Sequence, residues 1–410
     1  MAISDLAKVP VTNALANTDG ILVQQGGDVK QISREAFLQG AGDDLMLPTF
    51  TLEQTSSPAF DVIKKSMAVE NYIANMGGYG FKVKNGKVYA AKLNPSDWSK
   101  FTDGTAVDAS QIETMIHVPA CNFKASGKTM QFGGLTHIDG GQTFGSPEWV
   151  GAYKMYVDGS AVGHSRPDVA PSYSRSMSVF WNCAQKLGSE FGLANYQFHC
   201  LINAVYQAAF GNLNSQATIG AGFQHSNWEA CRDVTMGRTR SLGDGSGSVL
   251  YKDDTLGSQY PVKLFGFEDL LDKLWEFRPG IRFYMDGSQR YAIVYDGNVV
   301  SNTASGRKFA MKIVENKGGQ NVGAMVLGEH WDMICKAYAG GSSDYYTDGF
   351  WEATDGELLA VGGHAGDGAA CGVSYALSSY GFSSSWTSIG ARLAFFGKPQ
   401  FVSGHELMAM

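Results

Sequence analysis

The stretch "VGGHAGDGAACGVSYALSSYGFSSSWTSIGARLAFF", residues 361–396, decides how the rest of the chain is interpreted. From Gly362 to Gly390 it contains seven Gly, seven Ser and four aromatic residues, and Asp367 is its one charged residue. Tyr and Trp offer rigid contact area while Ser and Gly adapt to a partner, a composition typical of recognition loops. Tight β-turns around buried rings would have the same composition. Composition alone therefore favours a recognition surface and a turn-rich core equally.

The distribution of asparagine separates these two interpretations. Asn occurs repeatedly up to Asn321 and never afterwards, although loops favour it. The segment 362–390 also lacks Lys, Glu, Gln and Met. Codons with randomised first bases and a fixed final pyrimidine cannot encode these four residues or Trp. The pattern indicates diversified positions in a recognition surface, with Trp386 as part of a constant framework.

Length, composition and charge restrict the class of protein. A chain of 410 residues with 44% hydrophobic and 17% charged residues indicates a folded protein of two or three units. The net charge of −7 provides no basic surface for nucleic acid. No apolar run approaches the roughly 20 residues that span a bilayer. The opening "MAISDLAKVP" lacks the blocks of a secretory signal, so we expect synthesis in a cytoplasm without a signal peptide.

The first 114 residues are expected to form two small units. In residues 1–45, a hairpin from Ile21 to Ile32 turns at Gly26-Gly27-Asp28, and a short helix capped by Ser33 follows it to Gly40. In residues 46–114, apolar spacing predicts a helix over residues 60–73. Asn85-Gly86 lies between two alternating runs and predicts a second hairpin. We interpret 1–45 as a ββα element and 46–114 as a linker or shaft domain.

Residues 115–410 predict the main domain. Two amphipathic helices are expected in the segments 174–192 and 195–211, the second ending at Gly211. Many short strands separated by glycine follow these helices. Helices segregated from such strands indicate an α+β fold. The six cysteines have no CxxC spacing, and we expect no disulfides.

Few residues have spacings that suggest chemistry. One group is a cluster of acids that could cleave glycans as a carboxylate pair or form a solvated surface: Asp344, Asp348, Glu352, Asp355 and Glu357. The histidines are scattered without metal-ligand spacing, and no serine occurs in a G-x-S-x-G motif. We therefore predict no catalytic residue, no metal and no cofactor.

Three segments resemble the variable proteins of diversity-generating retroelements. They are "LLAVGGHAGDGAACGVSYALSSYGFSSSWTSIGARLAFF" (358–396), "LFGFEDLLDKLWEFRPGI" (264–281) and "NLNSQATIGAGF" (212–223). The resemblance covers residues 115–397 and implies a C-type-lectin-like fold related to formylglycine-generating enzyme. In addition, "ILVQQGGDVKQISREAFLQG" (21–40) is similar to an opening found in phage tail and fibre proteins.

Together the two resemblances imply a phage receptor-binding protein, a tail fibre adhesin on the virion. Its N-terminus would join other tail proteins, and its C-terminal head would bind a host cell-surface receptor, either protein or glycan, as a homotrimer. Formylglycine-generating activity needs a closely spaced cysteine pair, whereas Cys335 and Cys371 are widely separated. The resemblance thus implies an adhesin and no enzyme. One alternative is a glycan-cleaving tail enzyme that uses the acids of residues 344–357, and another is a purely structural decoration of the virion.

The resemblance also implies which residues bind. The variable region spans about residues 344–390, and its framework would include Gly362, Gly363, Gly390, Arg392 and Leu393. The predicted ligand-binding face consists of Tyr345, Tyr346, Asp348, Phe350, Trp351, His364, Ala365, Asp367, Ser374, Tyr375, Ser378, Tyr380, Phe382 and Ser384.

Overall fold

The computed structural model describes residues 20–25, 28–33, 49–54, 60–62, 67–126, 129–133, 142–143, 145–211, 213–295, 306–311, 320–327, 333–338, 348–353 and 355–410. These residues form a sheet-rich structure with few helices. The helices are α1 Met67–Asn75, α2 Met177–Gln185, α3 Tyr196–Phe210, α4 Ser215–Ile219, α5 Trp228–Asp233 and α6 Gly404–Ala409.

The strands are short and number 32 among the described residues. They are β1 Gly20–Gln25, β2 Asp28–Ser33, β3 Thr49–Gln54, β4 Phe60–Val62, β5 Gly77–Lys84, β6 Lys87–Asn94, β7 Asp97–Phe101, β8 Glu113–His117, β9 Asn122–Ser126, β10 Thr129–Gly133, β11 Gln142–Thr143, β12 Trp149–Lys154, β13 Tyr156–Val157, β14 Gly163–His164, β15 Phe191–Leu193, β16 Gly247–Ser248, β17 Tyr251–Asp253, β18 Gly257–Gln259, β19 Val262–Leu264, β20 Phe267–Glu268, β21 Trp275–Arg278, β22 Ile281–Asp286, β23 Gln289–Val294, β24 Arg307–Met311, β25 Gln320–Leu327, β26 Met333–Tyr338, β27 Gly349–Glu352, β28 Leu359–Val361, β29 Ala376–Ser378, β30 Ile389–Gly390, β31 Arg392–Phe395 and β32 Gln400–Phe401.

The largest sheet, here called the central sheet, has the strand order β15-β31-β12-β8-β5-β6-β32, and β7 pairs with β6. Because side chains alternate between the two faces of a strand, β12 and β31 each contribute to two hydrophobic cores. Val150 and Ala394 lie in the core that contains α3. Trp149 and Phe395 lie in the core that contains α2. The central sheet therefore separates two cores, one of which buries α3 and the other α2.

A seven-stranded sheet contains three strands of the segment 358–396, namely β28, β29 and β30, whereas the fourth, β31, belongs to the central sheet. The strand order of the seven-stranded sheet is β26-β25-β27-β29-β28-β21-β30. Strand β21 pairs antiparallel with β28 and parallel with β30, so the segments 275–278, 359–361 and 389–390 lie side by side. The segments 264–281 and 358–396, which carry the sequence resemblance, thus meet in one sheet.

The remaining strands form smaller sheets. A five-stranded sheet has the order β11-β9-β10-β3-β4, and two three-stranded sheets have the orders β16-β19-β20 and β22-β23-β24. Three two-stranded hairpins are β1-β2, β13-β14 and β17-β18.

Both predicted hairpins are confirmed. Strands β1 and β2 pair antiparallel from Gly20–Ser33 to Gln25–Asp28. At the second hairpin, Asn85 and Gly86 have φ values of 53° and 72°, as the favoured two-residue turn requires. The helix predicted to end at Gly40 lies outside the described residues.

The predicted helix over residues 60–73 is partly wrong. The helix runs from Met67 to Asn75, whereas Phe60–Val62 pairs with β3 as a strand. Apolar spacing over so short a run is compatible with a helix or a strand. Residues 60–62 form a strand because β3 is available to pair with them.

The helices predicted in the segments 174–192 and 195–211 are confirmed as α2 and α3. Helix α3 ends at Gly211 as predicted, and Gly211 has a φ of 62°. Helix α3 was expected to be amphipathic, but residues 196–208 are all buried. The reason is that the central sheet and strands β19 and β20 all contribute to the core around it.

The expected domain boundary between residues 114 and 115 falls inside the central sheet. Strand β8 contains both residues, and it pairs with β5 on one side and β12 on the other. Residues 77–117 therefore share one sheet and one core with strands from residues 149–154 and 392–395. The linker domain expected over residues 46–114 is not a separate unit in its described part from Gly77 onward.

His199 on α3 makes the fold sensitive to acid. Burial, assisted by the nearby Arg278 guanidinium, lowers the pKa of His199 to about 3. An unfolded chain takes up this proton near pH 6.5, so the free energy of unfolding should fall as pH decreases from about 6.5 towards 3, by up to about 1.4 kcal/mol per pH unit.

We expect His199→Gln to reduce this loss, because Gln does not titrate. Urea denaturation of the protein and of the variant at pH 7 and pH 4 measures the difference. Equal losses of stability in both proteins over this range would contradict the assignment.

Candidate functional site

The structure divides the fourteen predicted ligand-binding residues into three groups. Two of them, Tyr345 and Tyr346, lie outside the described residues. Six are buried: Asp348, Phe350, Ala365, Ser374, Tyr375 and Ser378. Six are at least partly exposed: Trp351, His364, Asp367, Tyr380, Phe382 and Ser384.

The buried six correct the expectation that all these positions lie on an exposed face. Strands β27 and β29 carry two of them, Phe350 and Ser378, and both strands are interior to the seven-stranded sheet. Their polar groups form hydrogen bonds with other groups of the protein. The Ser374 amide donates to Asp348 at 2.8 Å, and its hydroxyl donates to Asn203 at 2.7 Å. The Tyr375 hydroxyl accepts from Trp351 Nε1 at 2.5 Å. These side chains support the face and do not form it.

The most exposed aromatic residue of the region is Trp386. Its side chain is 49% exposed, and its ring centroid lies 5.2 Å from that of Tyr380. The carbonyl of Trp386 accepts hydrogen bonds from the amides of Ser174 (3.0 Å) and Ile389 (3.2 Å). Burial raises the pKa of Tyr380, and the negative charge of Asp367 raises it further. Trp386 is therefore an exposed ring on a fixed backbone, with Tyr380 beside it.

A second ring pair lies on the neighbouring turn. His364 stacks on Trp228, with centroids 4.8 Å apart and planes inclined by 19°. Asp367 accepts from the His364 amide at 2.9 Å, and its other oxygen lies 3.7 Å from His364 Nε2. Burial raises the pKa of Asp367, while the His364 charge opposes that rise.

Arg232 connects the two ring pairs. Its guanidinium carbon lies 3.8 Å from the centroid of Tyr173 and 5.5 Å from that of Trp228. It also donates to the carbonyl of Thr387, the residue after Trp386, at 3.5 Å. Because the Arg232 side chain is only 7% exposed, it acts as an internal support. We define the aromatic face by its six rings: Trp228, Trp351, His364, Tyr380, Phe382 and Trp386.

Two residues of this face were not predicted from the sequence. Trp228 lies far outside the variable region, and Trp386 was assigned to the framework although it is exposed. Asn227, which caps α5 by accepting from the Ala230 amide, could have indicated the start of a helix at Trp228. No periodicity could have placed that helix against residue 364.

A buried charge network surrounds Glu276 on β21, the strand that pairs with β28 and β30. Glu276 accepts from Lys154 at 2.8 Å and from Arg392 at 2.6 Å, and Arg278 lies 2.8 Å away. Burial alone opposes the ionisation of Glu276, but Arg392, Lys154 and Arg278 together hold its pKa well below the usual range. Arg392, predicted to be framework, therefore joins the central sheet to the seven-stranded sheet.

A second buried pair fixes the loop before β28. Arg290 pairs with Glu352 and donates to the carbonyls of Ala353, Gly356 and Ser378. Asp348 and Glu352 are both buried, so neither carboxylate is open to a substrate in this structure. Of the other acids in that cluster, Asp344 lies outside the described residues, and Asp355 and Glu357 reach the surface.

No group of three or more His, Cys, Asp or Glu side chains is arranged to hold a metal ion in the described part of the chain. None of the helices in those same ranges is long and apolar enough to cross a membrane.

The comparisons with known proteins give little beyond this. No family model matches the chain, and no curated protein matches it. One solved structure that it is similar to is described as "Major Tropism Determinant U1 Variant". The two chains are 14% identical, the alignment covers 92% of each, and the TM-score is 0.28. A TM-score of this size does not establish a common fold.

Proposed function

We propose that the chain is the receptor-binding protein of a phage particle, a tail fibre adhesin that binds a host cell-surface ligand through the aromatic face. The observation that carries the proposal is the combination of partly exposed rings and small hydroxyl residues on a backbone fixed by buried ion pairs. Large rigid rings supply most of the energy at binding surfaces. A fixed backbone limits the entropy lost when a partner binds.

The finer assignments belong to the same proposal. A C-type-lectin-like fold is supported by the sequence resemblance, whose segments 264–281 and 358–396 meet in one sheet. A homotrimer on the virion, with the hairpin β1-β2 near its attachment to other tail proteins, rests on the resemblance alone. Several heads per particle would let each contact be weak.

Replacing Trp386 with Ala tests the proposal. We expect binding of the purified, fluorescently labelled protein to host cells to fall at least about tenfold, because Trp is the residue type most often found as a hot spot of a binding surface. Flow cytometry over a range of protein concentrations measures the change.

Phe401→Ala is the matched control. Phe401 is 64% exposed but lies on β32, at the edge of the central sheet. This variant should bind as the unchanged protein does, and both variants should melt within a few degrees of it. Full binding by Trp386→Ala would contradict the proposed face.

A further inference from the structure

We propose that the loop of residues 381–388 is a carbohydrate-binding subsite that takes an uncharged pyranose unit of a cell-surface polysaccharide. The inference rests on the proposed adhesin function and specifies the ligand class. It begins with the exposed ring. Trp386 is the one large hydrophobic side chain of the aromatic face that is substantially exposed among the described residues. The others are Val179, Leu250, Tyr260, Phe396 and Phe401, which lie outside the segment 344–390.

Residues with hydroxyl groups flank Trp386 in the sequence. Ser383, Ser385 and Thr387 are exposed, and within the described structure none of their hydroxyls has a protein partner. These hydroxyls are therefore available to a ligand.

A carboxylate stands at the other end of the loop. Glu357 accepts from the Phe382 amide at 3.4 Å and from Arg282 at 3.3 Å. Its side chain remains 31% exposed, so it has lone pairs left for hydroxyl donors.

This set of groups fits the two chemical parts of a pyranose. The C–H face of the ring packs on an indole, whose π-surface is electron-rich. The hydroxyls around the ring both donate and accept, as Ser and Thr side chains do, and they donate to carboxylates. Trp386 and the hydroxyls beside it offer these contacts from the loop 381–388, and Glu357 adds a carboxylate where it accepts from the Phe382 amide of that loop.

Size and charge decide between possible ligands. A stable protein partner covers about 800 Å² on each side and relies on clustered anchors, whereas this loop offers one half-exposed ring bordered by hydroxyls. The sequence contains no Lys or Arg between Lys336 and Arg392. The nearby Arg232 is enclosed, and Arg282 pairs with Glu357. Arg175 follows Ser174, whose amide donates to the Trp386 carbonyl, and its half-buried guanidinium donates to the Tyr173 carbonyl at 3.1 Å. Each of these three described guanidinium groups therefore already has a partner within the protein, so the subsite favours a neutral sugar over an acidic one.

The experiment uses host cells and polysaccharide extracted from their envelope. The extract is freed of protein and divided into neutral and acidic fractions by anion exchange. We expect the neutral fraction to inhibit binding of the full-length protein to the cells and to change its Trp fluorescence. Periodate treatment of the cells should lower binding at least tenfold, and proteinase treatment should not.

Two variants test whether the polysaccharide binds at the loop 381–388. Trp386→Phe should abolish the fluorescence change. Ser383→Ala with Ser385→Ala should raise the inhibitory concentration of the neutral fraction at least threefold, and neither serine makes a side-chain contact that the fold requires. The control Phe401→Ala should respond as the unchanged protein does.

Three results would overturn the inference: loss of binding after proteinase only, inhibition by the acidic fraction only, or an unaltered inhibitory concentration in the double serine variant. In each case the protein still binds cells, so the adhesin function stands. Absence of binding to any cell that adsorbs the particle would instead refute the adhesin function.

Discussion

Replacing Glu276 with Gln is expected to destabilise the protein by about 3–5 kcal/mol, because it removes one partner of a buried charge network and leaves the others uncompensated. Lys154, Arg278 and Arg392 are all buried around this carboxylate and would share a neutral amide. A loss of that size approaches the whole stability of a typical domain. Urea denaturation at pH 7, followed by near-ultraviolet circular dichroism, measures it.

Glu357→Gln is the matched comparison for this prediction. Glu357 also accepts from an arginine, at 3.3 Å, but both side chains of that pair are partly exposed. Exposed pairs contribute about 0–1 kcal/mol, so this variant should remain close to the unchanged protein. A loss below about 1 kcal/mol in Glu276→Gln would show that the buried network is not a main support of the fold.

Replacing Gly362 with Ala should cost about 3 kcal/mol and disturb the aromatic face. Gly362 has a φ of 92°, a region that L-residues rarely adopt. A Cβ atom would lie 2.4 Å from the Leu270 carbonyl oxygen. The turn cannot shift freely, since the Gly362 carbonyl accepts from Asp272 at 2.9 Å and its amide donates to Tyr375 at 2.8 Å. Cell binding should therefore decrease together with stability.

Gly104→Ala separates the conformational cost of a positive φ from the steric contact with Leu270. Gly104 has a similar φ of 86°, but a Cβ there would meet nothing within 4 Å. This variant should lose only the conformational term, about 1 kcal/mol. If the two glycine variants were equally stable in thermal and urea denaturation, steric contact with Leu270 would not be what fixes the turn.

Local patterns predicted local structure well. Asn85-Gly86 and Gly211 were placed correctly because a positive φ at a turn or a helix end depends on residues within a few positions. Residues 60–62 became a strand because their backbone found a partner in β3, which no local pattern contains.

The candidate site was predicted less completely. Composition identified the segment that contains Tyr380, Phe382 and Asp367, but it could not tell buried from exposed rings. Tyr375 is buried because the carbonyl of this residue accepts from Gly362 and its ring packs on Trp275 from another strand. Trp228 was missed because its position against His364 depends on the tertiary fold alone.

The position of β31 has a consequence for how the protein is made. This strand lies between β15 and β12, and Arg392 on it donates to the carbonyl of Ala152, 240 residues earlier in the chain. A ribosome that has finished β12 must therefore synthesise the whole segment 344–390 before the central sheet can close. A frameshift in that segment would replace β31 and its arginine with unrelated residues. Such a product would lack the strand and the arginine that close the central sheet, so we expect it not to fold.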